Sequence, residues 1–478
     1  MDHSESPDAS LKDPIIYSSA TALAGAIKRK EISSEEITRK YLDRIEEVNP
    51  TINAVIRLLP NQALEAAIQA DKALAAGNAA GPLHGVPMTI KDSFDTRGVV
   101  TTAGTLGRAA YVPAEDATVV RRLREAGAIL LGKTNTPELT LAGDTYNLLF
   151  GQTNNPYRPD HSPGGSSGGA AAIVSAGGAA FDVGTDTGGS IRNPAHSCGL
   201  CGLKPTSGRV SRAGHIISFH DYRESLTTAG PITRYVEDLI TIWPLLSGSD
   251  GIDPYIQDIA PGDPRSVMVS GLKYAFYTDN GIASPEAEVV EMIQQVAAAL
   301  SNTGAAVEEN RPGAVPRTVE MFLEIFNADG GHTVRKILAD SGTTRVASYL
   351  QWALEDTGGD KKSGNSRERF AEVFEHWGLF RSEMASFFTK YDIILCPVSS
   401  REAFPQGLGV DELRHHSLSY TATYNLTGWP VAVVRAGTSA SGLPLGIQIA
   451  GKPWCEHKVL AVAEFIERTF GGFKVPGI

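Results

Sequence analysis

Residues 162–192 read SPGGSSGGAAAIVSAGGAAFDVGTDTGGSIR, and this stretch decides the fold. Its first twenty residues, 162–181, carry no charge, but so many glycines and serines make a poor lipid-facing helix. The chain has 49 glycines, and they cluster around this stretch instead of spreading evenly. Clustered glycine is typical of tight turns and of backbone that closely approaches a ligand. The stretch is therefore interpreted as a buried segment at a binding or catalytic site.

On both sides of this stretch, short apolar segments alternate with amphipathic ones. In residues 34–48, apolar side chains recur at helical spacing from Ile37 onward, and Ser34 is the predicted N-cap. Such alternation predicts an α/β layer structure. The predicted strands are 86–90, 128–131, 392–395, 431–434 and 445–450, and the predicted helices are 20–30, 34–48, 62–76, 117–126 and 457–469.

The domain organisation follows from where these segments lie. Residues 1–17 are predicted to be a flexible tail, and 18–478 a single domain with one sheet built from both ends of the chain. Residues 250–390 are richer in charge and in aromatic side chains. They are predicted to be a helical insertion that covers the substrate.

Composition excludes several classes of partner. The net charge of −11 disfavours binding to nucleic acid or to an anionic membrane. The first residues have neither the basic nor the apolar region of a secretory signal, and four cysteines do not indicate a disulfide framework. We therefore expect a cytoplasmic protein, with a homodimer left open as its assembly.

Two motifs match patterns that are typical of other functions. Residues 127–134, GAILLGKT, match the phosphate-binding loop formally, but the middle residues are those of a buried strand, whose N–H groups a sheet would use. His196, Cys198 and Cys201 have the spacing of zinc ligands. The further pair of ligands that a structural zinc site needs is missing, so buried, reduced cysteines are the preferred interpretation and no metal is predicted.

The run GGSSGG at 164–169 offers a third motif, because Ser166 and Ser167 each lie in a G-x-S-x-G frame. This frame is typical of the nucleophile turn of α/β-hydrolases, in which an acid and a histidine follow along the chain. His415, His416 and His457 are available, but nothing around them marks a base. A Ser-His-Asp esterase that uses Ser166 remains an alternative.

Three segments in the same chain carry a more specific signal: LHGVPMTIKDSFD at 83–95, SPGGSSGG at 162–169, and GTDTGGSIR at 184–192 followed by CGLKPTSGR at 201–209. Together they resemble the amidase signature family. The resemblance covers about 21–245 and 392–451, where GLPLGIQIAG at 442–451 is similar to the family's closing strand. It implies that family's α/β fold, a large mixed β-sheet core surrounded by helices, and no cofactor.

The resemblance also implies a catalytic triad. Ser190 matches the family's nucleophile, Ser166 its bridging serine, which follows a cis peptide bond, and Lys91 its base. The chemistry is reasonable, because a serine hydroxyl is a weak nucleophile that needs a base within hydrogen-bond reach. An ammonium cannot accept a proton, so Lys91 must be largely neutral, which burial favours.

Further site residues surround this triad. The successive N–H groups of Thr187, Gly188, Gly189 and Ser190 are predicted to stabilise the oxyanion of a tetrahedral intermediate. Asp186 and Arg192 flank the turn and are predicted to brace it. The resemblance places Thr140 at the acyl side of the pocket.

The resemblance implies a small amide or carbamate as substrate, and the aromatic residues of 250–390 predict that it is hydrophobic or aryl. Within the family the chain is similar to bacterial urethanases and aryl acylamidase-type amidases, and a glutamine-hydrolysing transamidation subunit is an alternative. Ala170, where many relatives have Glu, and residues 214–224 depart from the family pattern. The second departure affects the substrate side of the pocket and disfavours the transamidation subunit.

Overall fold

The computed structural model describes residues 13–218, 225–354 and 366–478. Its strands, in chain order, are β1 (Val55–Leu58), β2 (Pro87–Lys91), β3 (Ile129–Thr134), β4 (Tyr146–Asn147), β5 (Gly151–Gln152), β6 (Phe181–Asp186), β7 (Cys201–Lys204), β8 (Thr228–Thr233), β9 (Lys273–Phe276), β10 (Ala306–Glu309), β11 (Ile393–Pro397), β12 (Val431–Thr438) and β13 (Pro444–Gly451).

Eight of these strands form one mixed sheet, in the order β10-β9-β11-β13-β12-β7-β8-β6. The pairs β10–β9 and β9–β11 are parallel, and the remaining pairs are antiparallel. A second sheet has the order β1-β3-β2, with β2 and β3 parallel. The large mixed sheet confirms the predicted fold class.

Helices cover both sheets. They are α1 (Ala20–Lys28), α2 (Ser34–Ile52), α3 (Pro60–Ala75), α4 (Thr118–Glu125), α5 (Gly168–Ser175), α6 (Arg192–Ser197), α7 (Val236–Leu246), α8 (Ala287–Ser301), α9 (Thr318–Phe326), α10 (His332–Asp340), α11 (Gln351–Leu354), α12 (Ser366–Phe387), α13 (Val410–Leu413), α14 (Ser419–Thr421), α15 (Thr423–Leu426) and α16 (Glu456–Phe470). Within the described ranges, none of them has an apolar run long enough to cross a membrane.

The large sheet is buried on both faces, as strand β11 shows. Ile393 and Leu395 pack into the apolar cluster formed with α7, α8 and α16, whereas Ile394 and Cys396 pack into the cluster formed with α9 and α12. This is the alternation expected of successive residues in a strand. In a third apolar cluster, α2 and α5 pack against the β2–β3 layer.

The structure differs from the sequence predictions at the N-terminal side. Residues 14–17 were predicted to belong to the tail, but Ile16 and Tyr17 are buried, and the Tyr41 hydroxyl donates to the Ile16 carbonyl. Residues 1–12 lie outside the described residues. The N-cap of α2 is Ser33 and not Ser34, because the Ser33 hydroxyl accepts from the Glu36 N–H.

The range 250–390 contains helices α8 to α12, as predicted, but it also supplies β9 and β10 to the large sheet. Both strands have only four residues, and β10 lies at the sheet edge with most of its side chains exposed. The sequence of β10 therefore lacks the apolar run that indicates a buried strand, and β9 has only three apolar residues, 274–276, too short a run to be predicted as a strand. The range is part of the sheet as well as a cover over it.

Candidate active site

Lys91 ends strand β2, and its side chain is completely buried. Its Nζ lies 2.7 Å from the Ser166 Oγ, 3.0 Å from the Ser167 Oγ and 3.0 Å from the Thr185 Oγ1. Three hydroxyls therefore surround the amine, and each of them can donate a hydrogen bond as well as accept one. The sequence predicted the contact with Ser166 but neither of the other two.

Burial lowers the pKa of Lys91 to about 7, although the carboxylates of Asp182 and Asp186 act in the opposite direction. Removing an ammonium from water disfavours its charged form, and hydroxyl groups compensate less than a carboxylate in contact would. A substantial neutral fraction of the amine therefore exists near pH 7. This is the state that the sequence analysis required of the base.

Ser166 follows Gly165 through a cis peptide bond, as the resemblance implied, and its side chain is almost fully buried. The loop is closely packed, because a Cβ on Gly165 would lie 2.7 Å from the backbone nitrogen of Asp144. Real Cβ atoms do not approach backbone so closely, so glycine is required next to Ser166.

Ser190 lies in the turn between β6 and α6, and it lines a cavity of about 430 Å³. Its carbonyl accepts a hydrogen bond from the Ser167 N–H at 3.2 Å, which joins the turn to the Ser166 loop. Gly165 lines the same cavity. The structure thus brings the three residues of the predicted triad into one region, with Lys91 behind Ser166 and Ser190 at the cavity.

Asp186 and Arg192 form an ion pair at 2.9 Å, and both side chains are completely buried. Burial alone would raise the pKa of Asp186. The Arg192 guanidinium, its hydrogen bonds and the Asn425 amide outweigh that effect and hold the pKa well below its usual range. The carboxylate is therefore ionised, and it ties the two ends of the Ser190 turn together.

Arg192 also reaches the C-terminal part of the chain. Its guanidinium donates to the Thr421 carbonyl at 2.8 Å, to the Gln448 Oε1 at 2.6 Å and to the Asn425 Oδ1 at 2.6 Å. The Asn425 Nδ2 in turn donates to Asp186 at 2.9 Å. Asn425 and Gln448 are site-supporting residues that sequence reasoning missed, because no local motif marks them.

The oxyanion prediction needs one correction. The Gly189 N–H donates to the Asp186 Oδ1 at 2.9 Å, so it points at the carboxylate and not at a substrate. Gly189 has a φ of 120°, and a Cβ there would lie 2.4 Å from the Thr421 Oγ1, so this glycine serves the turn's conformation. The N–H groups of Thr187, Gly188 and Ser190 have no protein acceptor among the described residues and can serve an oxyanion.

The predicted Thr140 lines the cavity together with Thr187 and Gly188. The wall above Gly188 is apolar, because a Cβ there would lie 2.7 Å from the Leu418 Cδ1 and 3.3 Å from the Phe322 Cζ. Phe322 belongs to α9, within the range predicted to cover the substrate. Several more apolar and aromatic side chains line the cavity, namely Leu141, Tyr146, Leu323, Phe326, Tyr349, Leu408, Val410 and Leu413.

The three histidines of the esterase alternative do not contact Ser166. His416 is hydrogen-bonded to the Ser400 Oγ at 2.7 Å, and the His415 ring packs against His416. His457 packs beside Gly262. Because the Ser166 hydroxyl contacts Lys91, the arrangement favours lysine over histidine as the base.

The residues of the phosphate-loop match and of the zinc-like cluster have other structural roles. The range 127–134 continues into strand β3, which confirms the strand interpretation. His196 uses both ring nitrogens on backbone groups, at Arg401 and Gly446. The Cys198 and Cys201 thiols contact different carbonyls, those of Pro163 and Arg234.

A mixed sheet with a buried lysine, a bridging serine and a cavity serine defines the class of serine hydrolases that act on carbon–nitrogen bonds. The amidase family profile matches residues 36–460. The chain belongs to the amidase family, and the predicted amidase signature fold is confirmed.

Relatives with curated names are similar over nearly the whole chain. The glutamyl-tRNA(Gln) amidotransferase A subunit of Moorella thermoacetica is 36% identical, over 95% of this chain and 97% of its own length. The protein of the same name from Heliobacterium modesticaldum is 34% identical, over 95% and 96%. These names support the transamidation alternative better than the urethanase interpretation.

Solved structures with the same fold carry the names of several different enzymes. A 6-aminohexanoate cyclic dimer hydrolase superposes with a TM-score of 0.85 at 26% identity, covering 97% of this chain and 99% of its own. The peptide amidase PAM has a TM-score of 0.83 at 28% identity, covering 98% and 100%. The glutamyl-tRNA(Gln) amidotransferase A subunit of Thermotoga maritima has a TM-score of 0.79 at 28% identity, covering 98% and 98%.

Proposed function

We propose that this chain hydrolyses a carboxamide through a covalent intermediate on Ser190, with Ser166 and Lys91 as its proton relay. The observation that carries the proposal is the 2.7 Å contact between Lys91 and Ser166, which follows Gly165, a residue that lines the same cavity as Ser190. The Ser190 Oγ attacks the carbonyl carbon and its proton passes to the Ser166 oxygen, while the Ser166 proton passes to the neutral Lys91 amine. The carbonyl oxygen becomes an oxyanion facing the free N–H groups of the Ser190 turn.

The collapse of this intermediate reverses the proton path. Lys91 returns its proton through Ser166 to the leaving nitrogen, so the carbon–nitrogen bond breaks and a neutral amine or ammonia departs. Water then attacks the ester on Ser190 with the same relay as base, which releases the acid and restores the serine. Every proton that the relay takes up is returned, so no cofactor is needed.

Glutamine is the first candidate substrate, because two relatives that are 36% and 34% identical carry the name of a component of an amidotransferase. In that case the released ammonia would serve a partner protein. The names of these relatives give no support to carbamate cleavage, and carbamates become a secondary class to test. The departure at residues 214–224, of which 219–224 lie outside the described residues, does not decide between these substrates.

An apolar amide or anilide is the second candidate substrate, and the cavity wall favours it. Phe322 and Leu418 lie directly over Gly188, where the substrate carbonyl would bind. Glutamine has a charged amino group and a charged carboxylate, which Phe322 and Leu418 cannot solvate. Asp144 and Arg414 are the charged side chains that line the cavity in the described part of the chain. An aryl or alkyl group would instead gain from being buried there.

A substrate panel together with active-site labelling tests the proposal. The purified chain is offered glutamine, apolar primary amides, anilides, carbamates and esters, and it is treated with a fluorophosphonate whose site is mapped by mass spectrometry. We expect label on Ser190, and neither turnover nor label in Ser190→Ala. Label on Ser166 or Ser167 instead would contradict the proposal and favour the esterase alternative.

The variant Phe322→Ala distinguishes between the two candidate substrates. If the natural substrate is apolar, opening this wall reduces kcat/KM for anilides by about 10- to 100-fold and leaves glutamine turnover nearly unchanged. If glutamine is the substrate, the ranking among amides stays the same. Equal losses for every substrate would assign Phe322 to the fold and not to specificity.

A further inference from the structure

Asp144 is one of two charged residues, with Arg414, among those that line the cavity in the described part of the chain. Its Oδ1 accepts hydrogen bonds from the Thr145 N–H at 2.7 Å, from the Gln152 Nε2 at 3.0 Å and from the Ser162 hydroxyl. Three donors therefore hold one oxygen of the carboxylate in place.

The other oxygen, Oδ2, has no protein donor within residues 13–218, 225–354 and 366–478. This oxygen is not a buried atom, so it is accessible from the cavity that Asp144 lines. A carboxylate oxygen in this position accepts hydrogen bonds and cannot donate them when ionised. The cavity thus presents one fixed acceptor within largely apolar walls.

This acceptor is attached to the Ser166 loop. The Ser162 hydroxyl that donates to Asp144 also accepts from the Gly164 N–H at 3.0 Å, two residues before Ser166. The Asp144 backbone packs against Gly165, where a Cβ would lie 2.7 Å from the Asp144 nitrogen. Asp144 and Gly165, the residue before Ser166, therefore line the cavity side by side.

We propose that Asp144 is a specificity-determining residue whose free carboxylate oxygen accepts the N–H of the leaving group. The substrate class is then an amide with at least one hydrogen on its nitrogen, in preference to an ester. This proposal rests on the proposed function, because it takes Ser166 as the group that delivers the proton to the leaving nitrogen.

The geometry of proton delivery explains why such a residue is useful. The leaving nitrogen can take a proton only along its developing lone pair, and its N–H points in a different direction. Holding the N–H at Asp144 would orient the lone pair toward the adjoining loop, in which Ser166 follows the cavity-lining Gly165. An ester oxygen offers no hydrogen to Asp144, and the half-buried carboxylate would remain unpaired beside it.

Asp144→Asn tests this inference sharply. The Ser162 hydroxyl and the Thr145 N–H require an acceptor, so the asparagine carbonyl takes the place of Oδ1 and its NH₂ takes the place of Oδ2. The open acceptor becomes a donor. The assay compares kcat/KM for the anilide and the phenyl ester of one aliphatic acid, in the wild-type chain and in the variant.

We expect anilide turnover to fall about 10- to 100-fold, the size expected for loss of a hydrogen bond to a charged group. Ester turnover should change less than about threefold. An equal fall in kcat/KM for both substrates, or no change for either, would overturn the inference. Asp144→Ala serves as a second variant, with the same expected direction and no new donor.

Glu138→Gln is the matched control. Its carboxylate is also buried, but both oxygens already have donors, at Thr105 and Ala347. This variant should lower the melting temperature and leave the ratio of ester to anilide turnover unchanged. Fluorophosphonate labelling of Ser190 separates the two proposals: label with an unchanged ratio in Asp144→Asn overturns the inference alone, and absence of label overturns the proposed function.

Discussion

Two completely buried lysines on neighbouring strands, Lys91 on β2 and Lys133 on β3, differ in what surrounds their amines. Burial lowers the pKa of both, to about 7 for Lys91 and to about 8 for Lys133. Lys91 contacts three hydroxyls. Lys133 donates to the Phe94 carbonyl and to the Thr96 Oγ1, and it lies 3.9 Å from the Asp92 carboxylate.

The difference teaches that a lowered pKa does not by itself identify a base. The Thr96 and Thr101 hydroxyls near Lys133 donate to backbone carbonyls, so they accept from its amine. Together with the Phe94 carbonyl they are three acceptors, which use the three N–H groups of an ammonium. The hydroxyls around Lys91 can donate instead, so that amine can lose a proton and remain paired. We therefore assign Lys91 to proton transfer and Lys133 to holding the strand end at residue 94 in place.

The largest expected effect comes from replacing Lys91. Lys91→Ala and Lys91→Arg should each lower kcat/KM by about 10³-fold or more, because the relay then lacks a proton acceptor. A guanidinium remains protonated, so arginine cannot substitute as base. Steady-state kinetics on folded protein, checked by circular dichroism, measures the loss, and a nearly active arginine variant would exclude this relay.

Replacing Lys133 should have the opposite effect, a loss of stability with nearly unchanged turnover. Lys133→Met leaves the buried Asp92 carboxylate without its nearest cation, which should lower the free energy of unfolding by about 3–5 kcal/mol. Turnover per folded molecule should change less than about threefold, because Lys133 does not contact the serines. Denaturant unfolding and active-site titration measure both quantities. A loss of turnover without a loss of stability would remove the distinction between the two lysines.

The pH dependence of kcat/KM also distinguishes the two lysines, although the expected change is smaller. With the pKa of Lys91 lowered to about 7 by burial, the neutral amine increases as pH rises through that value. We expect kcat/KM to rise about tenfold between pH 6 and pH 8 and then level off. Lys133 should add no second inflection. A flat profile, or one that falls above pH 7, would contradict the role of a neutral lysine.

The smallest effect is expected at the histidines. His416→Ala removes a contact with Ser400 and should change kcat/KM by less than about threefold, and the same holds for His415 and His457. Parallel measurements on the three variants suffice. An essential histidine among them would restore the Ser-His-Asp alternative.

The sequence identified those parts of the site whose signals are local. Lys91 follows a strand, Ser166 lies in a glycine run, and Asp186 and Arg192 flank the Ser190 turn, so each is marked by its neighbours along the chain. The positions of the main helices and of β2, β3, β11, β12 and β13 followed from hydrophobic periodicity, with ends shifted by a few residues.

What the sequence did not identify depends on long-range contacts. Asn425 and Gln448 reach Arg192 across more than two hundred residues, and neither lies in a distinctive pattern. The Gly189 N–H was assigned to the oxyanion because only the structure shows the direction of each amide. Asp144 carries no motif at all, and its position at the cavity comes from folding alone.

The hydrogen bond from Arg192 to Gln448 spans 256 residues, and this separation has a consequence for synthesis of the protein. A ribosome adds about 5–20 residues each second, so roughly ten to fifty seconds pass between the making of the arginine and the making of its amide partner. During that time the Ser190 turn has its local ion pair between Asp186 and Arg192 but lacks the contact with Gln448. The nascent chain therefore holds an incompletely braced Ser190 turn, and the full set of Arg192 contacts forms only after residue 448 has been translated.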